Sequence, residues 1–262
     1  MLKIGWIDYI NTAPFNFELV GIYPDFKYQL EKGKPSQINR LLNKGDIDVG
    51  IVSSAEIIEN PDKYIVLPNM SISAYQKVNS VSIFSNQPLE KLRKVYVSKA
   101  SKSSRYLIHV IFNKFFKKDV EILDLKNRVN MEDAGLLLIG DEALKSIDQF
   151  KYNYDLAEVW YKETSYPFVF ALWAFNKNSA FLPVAKNFYS TVFTSRGKFF
   201  DNIDEYVPRI KTDFCPEFVK NYLLNLDYQL SYEHIKSLNL FGKLLKEAGV
   251  IPNLPVFRFL SV

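Results

Sequence analysis

The sequence predicts a two-lobed α/β clamshell whose halves are joined by two crossing segments. Three observations point to it. Short apolar runs alternate with helical stretches through the first half of the chain, the pattern of βα units around a largely parallel sheet. The pattern restarts after the polar segment Ser85-Asn86-Gln87-Pro88, and a long apolar strand returns after Tyr166-Pro167. The expected division gives residues 1–85 and 171–262 to one lobe and residues 86–170 to a second, inserted lobe. Two crossings suit a hinge, because a pair of strands can bend while each core stays rigid. A single sheet running through Val81 and Val95 would overturn the clamshell reading.

Lys3 to Ile7 reads as the first strand, and Thr12 to Leu19 as a short helix with Pro14 in its first turn, where a missing N–H costs nothing. Phe26 to Leu30 is the next strand. Pro35 to Asn43 is an amphipathic helix with Ile38, Leu41 and Leu42 on one face and Gly45 as its stop. Val49 to Val52 and Val81 to Phe84 are short buried strands. In the second lobe Val95 to Val97, Glu121 to Leu123 and Ala134 to Ile139 read as strands, and Ser103 to Phe116 as a strong helix. Phe168 to Phe175 is the strand that crosses back. Helices are expected over residues 180–195, 202–210, 216–224 and 231–248.

Composition narrows the function classes. A chain of 262 residues that is 48% hydrophobic can bury one large core or two modest ones. No apolar run approaches the roughly 18–20 residues of a membrane span, so no membrane partner is expected. The net charge of +4 is mild and dispersed, which argues against nucleic acid and mildly favours an acidic metabolite. The opening Met1 to Ile7 runs straight into a strand, and the lone Cys215 forms no intrachain disulfide, so a cytoplasmic location is expected. Cys215, between Phe214 and Pro216, reads as buried and inert. His109 and His234 read as structural. No metal-spaced cluster, phosphate loop or nucleophile elbow appears, so no cofactor and no metal are implied. The sequence does not set the oligomeric state.

In parallel α/β sheets ligands sit beyond the carboxyl ends of the strands. The segments that follow the strands are Asp8 to Asn11, Ser53-Ser54, Ser101 to Ser104 and Gly140-Asp141, all small and polar. Each by itself reads first as a helix cap or turn former. Four such sets at one sheet edge instead make a site, where short hydroxyl and amide groups present donors to a small carboxylic acid.

The stretch GKPSQINRLLNKGDIDVGIVSS, residues 33–54, is closely similar to the signature of the chorismate dehydratases of the futalosine route to menaquinone. The opening GWIDYINTAP (5–14) resembles the family's start, as do LPNMSIS (67–73) and VNSV (78–81). SKSS (101–104), GDEA (140–143), DLAEVW (155–160) and PFVFALW (167–173) keep the family's order, so the resemblance covers nearly the whole chain. One departure is visible: the family commonly has Thr where this chain has Ser103, which keeps a hydroxyl and loses a methyl.

The resemblance implies a periplasmic-binding-protein-like fold of type II working as a cytoplasmic hydro-lyase. The implied reaction removes water from chorismate to give 3-[(1-carboxyvinyl)oxy]benzoate. The implied catalytic residues are Asn11 and Ser80, with Ser53, Ser54, Ser101, Ser103, Ser104, Gly140 and Asp141 binding substrate. The general base is either the substrate's own enolpyruvyl carboxylate or Asp141, which also reads as a helix cap. Two other functions fit the fold: a non-catalytic binding protein for a small carboxylate, and the sister enzyme that makes 1,4-dihydroxy-6-naphthoate. The sister family typically opens with Cys-Pro-Asn-Asp, where this chain has Asp8-Tyr9-Ile10-Asn11.

Overall fold

The computed structural model describes residues 1–98, 102–125 and 131–262. The chain opens with β1 (Leu2–Trp6), a 3-10 turn (Ile10–Phe15), β2 (Tyr28–Lys32), α1 (Pro35–Lys44), β3 (Val49–Ser53), α2 (Ser54–Glu59) and the long β4 (Tyr64–Ala74). Pro35 at the start of α1 supplies no donor where none is needed, and Gly45 closes the helix in the left-handed conformation at φ 79°. Ile38 and Leu42 are fully buried against the sheet.

After a crossing at residues 75–80 come β5 (Val81–Ser85), β6 (Lys94–Val97), α3 (Lys102–Val110), β7 (Glu121–Asp124), β8 (Ala134–Ile139), α4 (Asp141–Lys145), β9 (Tyr152–Asp155) and α5 (Leu156–Thr164). Then β10 (Phe168–Asn176) returns, followed by α6 (Ala185–Asp201), α7 (Ile203–Tyr206), α8 (Pro216–Asn225) and α9 (Tyr232–Glu247).

The strands form two five-stranded sheets, in the orders β2-β1-β3-β10-β4 and β7-β6-β8-β5-β9. In each, three parallel strands are followed by one antiparallel strand, and that strand is the first made after the chain arrives from the other sheet. The break therefore falls at residues 75–80, not at 85: Val81–Ser85, expected in the first lobe, pairs with β8 and β9 of the second. One sheet does run through Val81 and Val95. The two-lobed division stands because that sheet shares no strand with the first. A short apolar run carries no information about which of two sheets will pair with it, so only its distance from the polar break misled.

The return crossing is also earlier than residue 170, since β10 already pairs with β4 at Phe168. The C-terminal helices do not all stay with the first lobe, because α9 packs on both β10 and α3. Beneath it Phe115, Trp160, Phe168 and Phe241 form an edge-on aromatic cluster, in which the Trp160 indole donates to Ser237 Oγ at 3.1 Å. Asp155 ties the first crossing to the start of α5. Its carboxylate accepts from the Asn79 N–H of one crossing at 2.6 Å and, capping α5, from the Ala157 and Glu158 N–H groups at 3.0 and 3.2 Å. Cys215 is exposed, not buried: it is the N-cap residue of α8 at the end of a surface loop, where the following Pro216 starts the helix. No helix among the described residues is long and apolar enough to cross a membrane.

Candidate functional site

The ends of β1 and β3 face the end of β8 and the start of α3 across a cleft with about 650 Å³ of space, counting its open mouth. Both lobes line it. Its walls are largely apolar, with Ile51, Ile72, Ile139 and Phe170 among them, and its polar groups are few. That is the usual composition of a small-molecule site, in which a few fixed donors orient a ligand held by apolar surface. Phe170 reaches the cleft from an irregular point of β10, where the register against β4 shifts between Val169 and Ala171.

Of the residues expected here, Asn11, Ser53, Ser80, Ser103, Ser104 and Gly140 line the cleft together. Asn11 sits in the 3-10 turn directly after β1, and no side-chain bond caps that turn, so its amide is not consumed as a cap. Ser53 caps α2: its Oγ accepts from the Glu56 N–H at 3.3 Å and from Asn39 Nδ2 at 2.9 Å. A serine hydroxyl has two lone pairs and one proton, so the Ser53 proton is left for the cleft. Ser80 is 1% exposed and accepts from the Tyr222 hydroxyl at 2.8 Å. Ser104 is buried in the wall, and no hydrogen bond among the described residues claims its hydroxyl.

Ser103 is spent differently. Its Oγ accepts from the Ala55 N–H at 3.0 Å, lies 3.1 Å from Ser54 Oγ and donates to the Phe170 carbonyl at 3.3 Å. With one proton and two lone pairs, that hydroxyl is fully used, and it ties the second lobe to the first. Ser54 lies behind the wall rather than on it, fully buried against Ser103. Asp141 does not line the cleft either. It is the first residue of α4, whose cap is Gly140 with no side-chain bond, so Asp141 does not cap the helix as its sequence implied. Burial pushes its carboxyl above the usual range, and Asp213 adds to the rise against Lys145. Ser101 lies outside the described residues.

Gly140 holds φ 60° and ψ −142°, which only glycine adopts freely, and donates its N–H to the Ser80 carbonyl at 2.8 Å. A Cβ there would meet the Tyr9 ring of the opposite lobe at 3.3 Å. Gly140→Ala is therefore expected to cost about 1–3 kcal/mol from backbone strain alone and to push Tyr9 away from its seat. Thermal unfolding measures the first effect and ligand affinity the second; an unchanged melting temperature would contradict it.

Sequence reasoning missed three groups. Tyr9 closes the cleft over Gly140, and burial raises its phenol, helped by Glu142 and Asp141. Lys102 is the one charged side chain lining the cleft among the described residues. It pairs with Glu56 at 2.6 Å and with Glu59, both on α2. Burial pushes Lys102 down, but Glu56 and Glu59 outweigh it and hold the ammonium firmly charged. Tyr106 also reaches Glu59, at 2.8 Å, so α3 grips α2 through ion pairs as well as through Ser103. A lysine inside the motif SKSS was the signal that could have found this contact. Tyr222 had no such signal. Its spacing with Val219 and Leu223 marks it as core, and nothing local places it beside Ser80, 142 residues away.

The assembled site offers hydroxyl and amide donors, one balanced ammonium and apolar walls. It holds no histidine, and the carboxylate expected at its edge lies outside the lining. A small acid fits this chemistry.

The chain matches the family described as menaquinone biosynthesis over residues 2–247. It is 24% identical to the chorismate dehydratase of Thermus thermophilus, covering 97% of both chains. It is 31% identical to that of Campylobacter jejuni, covering 71% of this chain and 74% of the relative. Among solved structures it is similar to a protein of Archaeoglobus fulgidus, with TM-score 0.79 at 14% identity over 95% of this chain and 98% of that one. It is also similar to the alkanesulfonate-binding protein of Xanthomonas axonopodis pv. citri bound to MOPS, with TM-score 0.69 at 14% identity over 97% and 96%. These two likenesses establish the periplasmic-binding-protein-like fold.

Proposed function

This chain belongs to the menaquinone biosynthesis family, and from that premise we propose that it is a chorismate dehydratase, a hydro-lyase that converts chorismate to 3-[(1-carboxyvinyl)oxy]benzoate. The observation that carries the reading is the meeting of the motif residues Asn11, Ser53, Ser80 and Ser104 on one cleft between two lobes. Two relatives named as chorismate dehydratases support it along most of the chain.

Chorismate carries two carboxylates, an enolpyruvyl ether on C3 and a hydroxyl on C4. The C3 proton passes to the enolpyruvyl carboxylate, the C3–H electron pair becomes the third ring double bond, and the C4–O bond breaks. The departing hydroxide takes that proton back from the enolpyruvyl carboxyl group and leaves as water, which restores the carboxylate. Asn11 donates to the carboxylate that acts as base, and Ser80 directs its proton at the C4 oxygen. Both carboxylates are held by preorganised donors between largely apolar walls, where such donors act more strongly than in water. With Asp141 outside the lining, the substrate carboxylate is the base this arrangement supports better.

The same reading places the reaction in the futalosine route to menaquinone and the protein in the cytoplasm, where the lone Cys215 needs no disulfide partner. The test is to incubate the purified protein with chorismate and to follow the ultraviolet spectrum and mass. Loss of one water with appearance of an aromatic ring is the expected result. Chorismate recovered unchanged would reduce the protein to a carrier.

A further inference from the structure

Resting on that reading, we infer that Tyr222 is a positioning residue for the dehydration: its hydroxyl, donating to Ser80 Oγ at 2.8 Å, fixes the direction in which Ser80 offers its own proton. Tyr222 does not line the cleft; its phenol also lies beside the Asn11 amide, and the effect inferred here is the one that passes through Ser80.

The sequence sets this up from a distance. In α8, Val219, Tyr222 and Leu223 recur at helical spacing and form its buried stripe, with Tyr222 4% exposed. That stripe packs on the 3-10 turn carrying Asn11. The far end of α8 is tied to the crossing that leads into Ser80, because Asn225 Nδ2 donates to the Lys77 carbonyl at 2.5 Å. The helix is thus fixed both to the turn bearing one proposed catalytic group and to the segment bearing the other.

A serine hydroxyl rotates to suit its partners. At Ser80 the Tyr222 proton occupies one lone pair, so the serine proton turns away from the phenol. The backbone cannot swing to undo this, since the Ser80 carbonyl accepts from the Gly140 N–H at 2.8 Å. The direction left open is the cleft, which Ser80 lines. The phenol is suited to remain a donor. Burial pushes it well above its usual range, and Asp141 and Asp155 add to the rise against Ser80 and Asn11.

A tyrosine that served only the core would give a different result when its oxygen is removed. The experiment compares wild type, Tyr222→Phe, Ser80→Ala and the double variant for kcat and KM on chorismate, with thermal unfolding of each. Tyr222→Phe is expected to lower kcat about 10-fold with KM within about 2-fold, the pattern of an interaction that matters in the transition state. In the Ser80→Ala background the same change should cost less than about 2-fold, because its effect passes through the missing hydroxyl. Full kcat in Tyr222→Phe, or the same loss in both backgrounds, would overturn the inference. Should Tyr222→Phe not fold, 3-fluorotyrosine at position 222 keeps the shape and acidifies the phenol. As a stronger donor to Ser80 it is then expected to change kcat by more than about 2-fold with KM unaltered, and an unchanged kcat would equally overturn the inference. If the wild type leaves chorismate intact, the dehydratase reading fails and takes this inference with it. An active wild type with a fully active Tyr222→Phe isolates the failure to Tyr222.

Discussion

Replacing Asn11 with aspartate is expected to reduce chorismate turnover by at least about 100-fold, the loss seen when one preorganised donor is removed from an active site. The amide lies in the turn after β1, lines the cleft, and adjoins the buried Tyr222 phenol. An amide can both donate to a carboxylate and accept from a hydroxyl. Aspartate removes the donor and adds a negative charge beside a dianionic substrate. The fold should survive, because no side-chain bond from Asn11 caps the turn that holds it. Turnover and thermal unfolding of the same protein decide the matter. Near-normal turnover would remove Asn11 from the catalytic group.

Asp155→Ala should act on the fold instead. It is 4% exposed and receives three backbone N–H groups, two from the start of α5 and one from Asn79 in the crossing that enters the second lobe. Losing a helix cap costs about 1 kcal/mol and orphaning a buried donor about 1–3 more, so a loss of roughly 3 kcal/mol is expected. For a chain of this size that lowers the melting temperature by about 6–12 °C. A shift under about 2 °C would show that Asp155 does not hold α5 to that crossing.

The same carboxyl gives a pH signature. Burial raises it to about 6 from 3.8, against the backbone N–H groups, that of Asn79 foremost, that favour its charge. Between those two values the folded protein binds a proton that the unfolded chain releases. The contribution of this group to stability therefore grows as pH falls from about 6 to about 4 and is lost as pH rises through 6, by at most about 3 kcal/mol. Subtracting the Asp155→Ala profile from that of wild type isolates it. A difference that instead increases with pH would contradict the assignment.

Much of this was legible in the sequence where local chemistry is decisive. Pro35, the apolar pair Ile38 and Leu42, and Gly45 specify α1 from its first residue to its last because each acts within a turn of the helix. The ends of β1, β3 and β8 could likewise be found from apolar runs that stop at small polar residues. What the sequence hides is the choice between equivalent partners. Val81–Ser85 is apolar enough for either sheet, Tyr222 is one of 16 tyrosines, and a fully bonded Ser103 looks the same on paper as Ser104, whose hydroxyl no described residue bonds. The missing information is long-range contact, which no periodicity encodes. Recognising chorismate as the ligand came from the motif resemblance. The strand-end residues by themselves reached only a small carboxylic acid.

The placement of β10 in the first sheet bears on how the protein is born. β4 has no strand neighbour in that sheet except β10, which separates it from β3. As the chain leaves the ribosome from its N-terminus, the second sheet, spanning residues 81–155, can close while the first is still short of a central strand. Until residue 168 emerges, the eleven residues of β4 wait with both edges unpaired, and most of them end up buried. An unpaired apolar edge is a template for the wrong partner. The nascent chain is therefore most exposed to misassembly in the interval between these two strands, and slowing translation just before Phe168 should lower soluble yield more than slowing it after Asn176.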